Sequence, residues 1–177
     1  SLYTFSTENW RRTPDEVKFL MNLLGNALRN EYDFYRDNRI RLVHSGDVEG
    51  LPAAIRREIS RVEKDTADFD GITVNVAVNY GGRDEIIRAV KKWHAAGGNG
   101  DLTSDALHAH LDRPDIPDPD LIVRTGGELR LSNFLLWECA YSELFFSRKL
   151  WPDWSEEDLL SAVQEYQKRR RNFGGDR

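Results

Sequence analysis

The 177-residue chain is 40% apolar and 31% charged, a length and balance that suit one globular domain able to bury a core without disulfides or a structural metal. No stretch approaches the roughly 20 consecutive apolar residues of a membrane-spanning helix, so a soluble protein is expected, and the lone Cys139 excludes an internal disulfide or a Cys-based metal cluster and suits a reducing cytoplasm. A net charge of −5 argues against wholesale nucleic-acid binding, although the local run Lys168–Arg171 could meet an anion.

Ser1 to Phe5 reads as the middle of a strand with no initiator methionine or signal pattern before it, and residues 1–177 are read as a single, N-terminally incomplete domain. Thr13-Pro14-Asp15-Glu16 has the form of a helix start, with Thr13 as N-cap, Pro14 at the first helical position and Glu16 completing a capping box. Apolar residues then recur at helical spacing from Val17 to Tyr35, which predicts one long helix to about Asp37. Phe19 and Leu23 widen its apolar face, either to pack between two neighbours or to line a cavity. A short strand over Ile40–Val43 and a polar-faced helix from Pro52 to about Thr66 follow. Ile72 to Val78 is β-branched and apolar on both faces, as an interior parallel strand is.

Beyond Asn79-Tyr80-Gly81-Gly82 the pattern predicts a helix over Arg83–Ala96, a glycine linker, a short helix over Ser104–Leu111 and a proline-rich loop. The remaining elements are a strand over Leu121–Val123, a helix over Phe134–Ala140, a strand over Glu143–Phe146 and a last helix over Ser155–Arg171. Alternation of this kind predicts an α/β fold with a mainly parallel central sheet flanked by helices.

Ligands of open α/β sheets bind beyond the carboxyl ends of the strands, so the post-strand segments carry the functional weight. After the first strand, Ser6-Thr7-Glu8-Asn9-Trp10-Arg11-Arg12 offers hydroxyls, an amide, a carboxylate, an indole and guanidinium groups before a helix N-terminus, a set that suits an anion or simply caps the helix. After Leu121–Val123, Arg124-Thr-Gly-Gly-Glu-Leu-Arg-Leu-Ser132 combines glycines that admit close backbone approach with two planar guanidinium forks and a hydroxyl, the chemistry of a diphosphate site. The plainer alternative pairs Arg124 and Arg130 with Glu128 or Asp120. Glu143 stands among apolar residues and needs a partner, which a cation such as Mg²⁺ or a nearby arginine would supply.

Phe5-Ser-Thr-Glu-Asn-Trp10, Asn79-Tyr-Gly-Gly-Arg83, Arg124-Thr-Gly-Gly-Glu128, Arg130-Leu-Ser-Asn-Phe-Leu-Leu-Trp137, Tyr141-Ser-Glu143 and Leu150-Trp-Pro-Asp153 resemble, in order and over essentially the whole chain, the signature blocks of cis-prenyltransferases of the undecaprenyl diphosphate synthase type. The resemblance implies elongation of an allylic diphosphate, such as farnesyl diphosphate, by isopentenyl diphosphate to a long-chain polyprenyl diphosphate. It implies a Mg²⁺ cofactor, a hydrophobic tunnel walled by the wide helix face, a homodimer, and work in the cytoplasm at the inner face of the membrane, where the product enters lipid.

By the same resemblance Ser6, Thr7, Glu8, Trp10 and Arg12 belong to the substrate region, Arg124, Arg130, Leu131 and Ser132 bind the homoallylic diphosphate, and Glu143 helps hold Mg²⁺. Asn9 matches the position proposed as proton acceptor, a role that chemistry shifts toward positioning because a neutral amide is a poor base. The family's first block, with its aspartate, would precede Ser1, so the fragment alone is expected to be inactive. The family's C-terminal Arg-x-Gly element stands here as Asn172-Phe173-Gly174. A non-catalytic accessory subunit of the same fold is the alternative, and a nucleic-acid module built on Lys168–Arg171 a weaker one.

Overall fold

The structure, a computed structural model, describes residues 1–171. Packing divides the chain into two compact units, Ser1–Asp115 and the part from Ile116 onward. Every strand pairing is parallel, as the alternating pattern predicts, and helices flank the strands.

The first unit holds a three-stranded sheet in the order β1-β3-β2, from β1 (Leu2–Ser6), β2 (Arg41–Ser45) and β3 (Thr73–Tyr80). Central β3 is buried on both faces toward its carboxyl end, which is why its sequence is a β-branched run rather than an alternation. Its helices are α1 (Pro14–Asn30), α2 (Tyr32–Asp37), α3 (Ala53–Asp65), α4 (Gly82–Ala95) and α5 (Ser104–His108). Thr13 caps α1 as expected: its Oγ1 accepts from the Glu16 N–H at 3.4 Å while Glu16 Oε2 accepts from the Thr13 N–H at 3.2 Å. Phe5, Leu24, Leu28, Ile55, Val62 and Val78 are among the residues of a core shared by the sheet, α1 and α3.

Two expectations change here. The long helix to Asp37 breaks at Glu31 (φ −90°, ψ 6°), whose N–H caps α1 by donating to the Ala27 carbonyl. No glycine or proline marks the break. The wide apolar face is also not uniformly covered: Met21, Leu24 and Leu28 are buried, whereas Phe19 is 67% and Leu23 56% exposed.

In the second unit β4 (Leu121–Arg124) pairs with β5 (Glu143–Phe146), and α6 (Glu156–Lys168) follows. Ser155 caps α6, and Asp158 closes the capping box; the Lys149 ammonium and then the Ser155 N–H hold the Asp158 carboxyl down at about 2. The helix expected over Phe134–Ala140 is replaced by turns and a single 3₁₀ turn at Glu138–Tyr141. Positive φ at Ser132 (53°), Asn133 (64°) and Leu135 (43°) prevents a right-handed helix from starting there. Asn172-Phe173-Gly174 lies outside the described residues. Among those described, no helix is long and apolar enough to cross a membrane.

Candidate functional site

At the carboxyl end of β1 the chain makes one 3₁₀ turn, Thr7–Arg11, before α1. The Ser6 N–H donates to Asn9 Oδ1 at 2.9 Å, so the oxygen of the Asn9 amide is already occupied in closing this turn. A positioning role for Asn9 agrees with that geometry better than proton capture does. The Thr7 hydroxyl donates to Glu8 Oε2 at 3.2 Å. Trp10 meets the buried Phe5 ring edge to face, with centroids 5.1 Å apart, and donates its indole N–H to Asn79 Oδ1 at 2.7 Å. The Arg12 guanidinium, 4.0 Å from Glu16 and half exposed, remains available to an anion.

Next to this turn lies a cavity of about 510 Å³, lined by Trp10, Arg12, Val17, Met21, Pro52 and Ile55 among others. Its size is that of a small-molecule site, and its walls are chiefly apolar, with the Arg12 guanidinium, the Lys18 ammonium and the Asn22 amide as the polar groups. That combination suits an amphiphile with an anionic head and a hydrocarbon body. The cavity uses the Val17 and Met21 side of α1 rather than Phe19 or Leu23.

In the second unit, Arg124 ends β4 with its Nε buried and without a hydrogen-bond partner among the described residues. A buried guanidinium nitrogen left unpaired is costly, which favours an oxyanion there. Gly126 (φ 87°) and Gly127 (φ 76°) then turn the loop back, and their N–H groups donate to the Lys149 and Ser147 carbonyls at 2.7 and 2.8 Å. The glycines therefore shape the loop and do not themselves present N–H groups to a ligand. Arg130 is exposed and pairs with Glu128, so the plainer pairing weighed from sequence is realised, while Asp120 pairs with Arg171 instead. Leu131 and Ser132 are half-buried beside it.

Glu143 opens β5 and accepts from Arg169 Nη1 at 2.8 Å; Arg169 also donates to the Leu144 carbonyl and to Glu165. Of the two partners open at the sequence level, the structure supplies the arginine, and the two carboxylates, Glu143 first, raise the Arg169 pKa further above its ordinary value. Among the described residues no group of three or more His, Cys, Asp or Glu side chains could hold a metal ion. Mg²⁺ commonly takes one or two carboxylates and completes its shell with phosphate oxygens and water, so Glu143 fits as a single ligand of a metal that arrives with diphosphate.

Two residues were given no individual role by the sequence reading. Asn79, at the end of β3, is 5% exposed and left-handed (φ 52°), with its amide joined to Trp10 and to the Asp47 carbonyl. Asp112 lies at the centre of a buried polar cluster with Gly46, Arg88, Lys92 and Glu85. An asparagine closing a β-branched run just ahead of Tyr80-Gly81-Gly82 is a signal for the first; nothing local marks the second.

The family described as "Putative undecaprenyl diphosphate synthase" matches residues 1–174. Isoprenyl transferases from Treponema denticola and Thermotoga maritima are 47% and 48% identical to the chain, each match covering 98% of this chain and 76% of the relative. Among solved structures, a probable undecaprenyl diphosphate synthase from Campylobacter jejuni superposes with a TM-score of 0.90 at 40% identity, covering 98% of this chain and 81% of that one. Lavandulyl diphosphate synthase from Lavandula x intermedia, in complex with dimethylallyl diphosphate, gives 0.92 at 34% identity over 97% and 77% of the two chains.

Proposed function

The chain belongs to the cis-prenyltransferase family of undecaprenyl diphosphate synthases, and on that premise we propose that it condenses isopentenyl diphosphate with an allylic diphosphate, such as farnesyl diphosphate, to build a long-chain polyprenyl diphosphate. The observation that carries this reading is the Arg124–Ser132 loop, with an unpartnered buried guanidinium nitrogen at one end and an exposed guanidinium toward the other. The allylic diphosphate bound by the lavender relative supports an allylic partner for this chain too.

Each cycle breaks the allylic C–O bond, forms a carbon–carbon bond to isopentenyl diphosphate and releases diphosphate and a proton. Arg124, Arg130 and the Ser132 hydroxyl bind and orient the isopentenyl diphosphate headgroup, with Leu131 as an apolar contact beside it. Ser6, Thr7, Glu8 and Trp10 shape the substrate region after β1, Arg12 attracts a phosphate there, and Asn9 holds the turn rather than taking the proton. Glu143 is the residue that would hold Mg²⁺, whose charge would offset that of the departing diphosphate when it is bound. The product is a lipid, so a cytoplasmic homodimer working at the inner membrane face completes the proposal.

The test is incorporation of labelled isopentenyl diphosphate into solvent-extractable product with farnesyl diphosphate, with and without Mg²⁺. No incorporation by the complete, folded protein, its first block included, would overturn the reading, and incorporation only with an added second subunit would make the chain an accessory.

Glu143→Gln keeps the acceptor for Arg169 but removes the charge a hard cation prefers. Turnover should fall and recover in part at high Mg²⁺; an unchanged Mg²⁺ dependence would assign Glu143 to Arg169 alone. For chain growth, the α1–α3 cavity is the proposed path, so Met21→Trp should shorten the product while Leu23→Trp, on the exposed face, should not. Overpacking costs about 1–3 kcal/mol, so melting temperature must be recorded beside chain length. Product of normal length from a folded Met21→Trp enzyme would exclude the cavity as the path.

A further inference from the structure

The carboxyl ends of β1, β2 and β3 are tied together through one side chain. In the β1–β3 register Phe5 faces Val78 and Ser6 faces Tyr80, so consecutive residues of β1 span three of β3 and Asn79 is the extra one. Such a bulge re-aims the side chain that it carries. Asn79 takes the left-handed conformation (φ 52°), which asparagine tolerates better than most side chains.

Its amide is then fully directed. Oδ1 accepts the Trp10 indole N–H at 2.7 Å, from the turn after β1, and Nδ2 donates to the Asp47 carbonyl at 2.8 Å, from the loop after β2. The Asn79 carbonyl also accepts the Asp47 N–H at 3.0 Å. Two glycines make room: a Cβ at Gly46 would lie 2.1 Å from the Val78 carbonyl oxygen, and one at Gly50 would lie 2.6 Å from Asn79 Nδ2. The backbone of the β2 loop approaches Asn79 only because both positions lack a side chain.

We infer that Asn79 is a positioning residue for the substrate site after β1, fixing the Trp10 indole against the β2 loop so that the wall beside Arg12 is preformed before substrate arrives. The inference rests on the reading above that Trp10 faces substrate. A left-handed bulge is a strained way to end a strand, and it persists where surrounding contacts over-determine it. Here those contacts all run through the amide or the carbonyl of one residue. A fixed indole removes ordering that substrate binding would otherwise have to supply.

Asn79→Gly keeps the backbone conformation and removes both amide bonds; Asn79→Asp keeps an acceptor for the indole. The measurements are the Trp10 indole N–H resonance by NMR, assigned with Trp10→Phe, and steady-state prenyl transfer with each substrate varied. Asn79→Gly should shift the indole resonance and raise one substrate's KM roughly three- to tenfold, the size of one lost buried hydrogen bond. Asn79→Asp, which keeps the acceptor for the indole but turns a carboxylate oxygen toward the Asp47 carbonyl in place of the Nδ2 donor, should restore only part of that KM, and in a Trp10→Phe background Asn79→Gly should add little to it. An unmoved indole resonance, or KM effects of the two substitutions that simply multiply, would overturn the inference. A moved resonance with no KM change in any variant would leave the clamp standing and overturn instead the placement of Trp10 against substrate.

Discussion

Arg130→Ala is expected to raise the KM for isopentenyl diphosphate about ten- to a hundredfold while leaving that for the allylic substrate nearly unchanged. Charge-assisted hydrogen bonds to an anionic ligand are worth roughly 1.5–3 kcal/mol, the size of the contact proposed for Arg130 with the isopentenyl diphosphate headgroup. Stability should barely respond. The Arg130 side chain is 61% exposed and its protein partner is Glu128, also half exposed; pairs of that kind contribute about 0–1 kcal/mol. On the proposed reading Glu128 would compete with diphosphate for the same guanidinium, so Glu128→Gln in the same assay should lower the KM or leave it unchanged. Arg130→Lys should recover only part of the loss, because an ammonium cannot present two parallel donors to a phosphate. Equal KM effects on both substrates, or none, would remove Arg130 from the isopentenyl site.

Much of the local structure in both candidate regions was legible because its signals are local. Thr13-Pro14-Asp15-Glu16 sets the start of α1, the β-branched run before Asn79 sets β3, and Gly126-Gly127 sets the reversal after β4, each through backbone preferences of adjacent residues. What escaped is set by contacts distant in sequence. Glu31 breaks the long helix by its own backbone angles (φ −90°, ψ 6°), in a stretch whose composition and spacing stay helical. Phe134-Leu135-Leu136-Trp137 has the apolar content of a helix, yet Leu135 sits at positive φ and is buried. Breadth of the apolar face does not locate the cavity either, since Phe19 and Leu23 add width where α1 is exposed and the cavity is lined by Val17 and Met21. Asn79 lies in a segment already singled out, but its bulge comes from the β1–β3 register, which no single strand encodes.

Asp112→Ala should be the most destabilising of these substitutions. Asp112 Oδ2 accepts from the Gly46 N–H at 2.9 Å and from Arg88, Oδ1 accepts from Lys92 Nζ at 2.9 Å, and the Asp112 N–H donates to Glu85 Oε1 at 3.1 Å. Glu85 is 1% exposed and accepts from the buried Tyr80 hydroxyl. The segment after α5 is thereby joined to the end of β2 and to α4, and the Asp112 side chain is only 7% exposed. Removing it strands the Gly46 N–H and leaves the largely buried Arg88 with Asp84 as its remaining ion-pair partner. Losing one member of a buried pair costs about 3–5 kcal/mol. Taking the lower figure because Asp84 remains, and roughly 2–4 °C per kcal/mol at this chain length, the melting temperature should drop by about 6–12 °C. Asp112→Asn, which keeps an acceptor for Gly46 but not the charge, should fall between. None of the proposed substrate contacts is touched directly, so at temperatures where the variant is folded any rise in KM should stay below that of Asn79→Gly, which cuts the link between Trp10 and the β2 loop itself. A melting temperature within about 2 °C of the parent would mean that water replaces the carboxylate without loss and that the cluster does not hold the β2 loop in place.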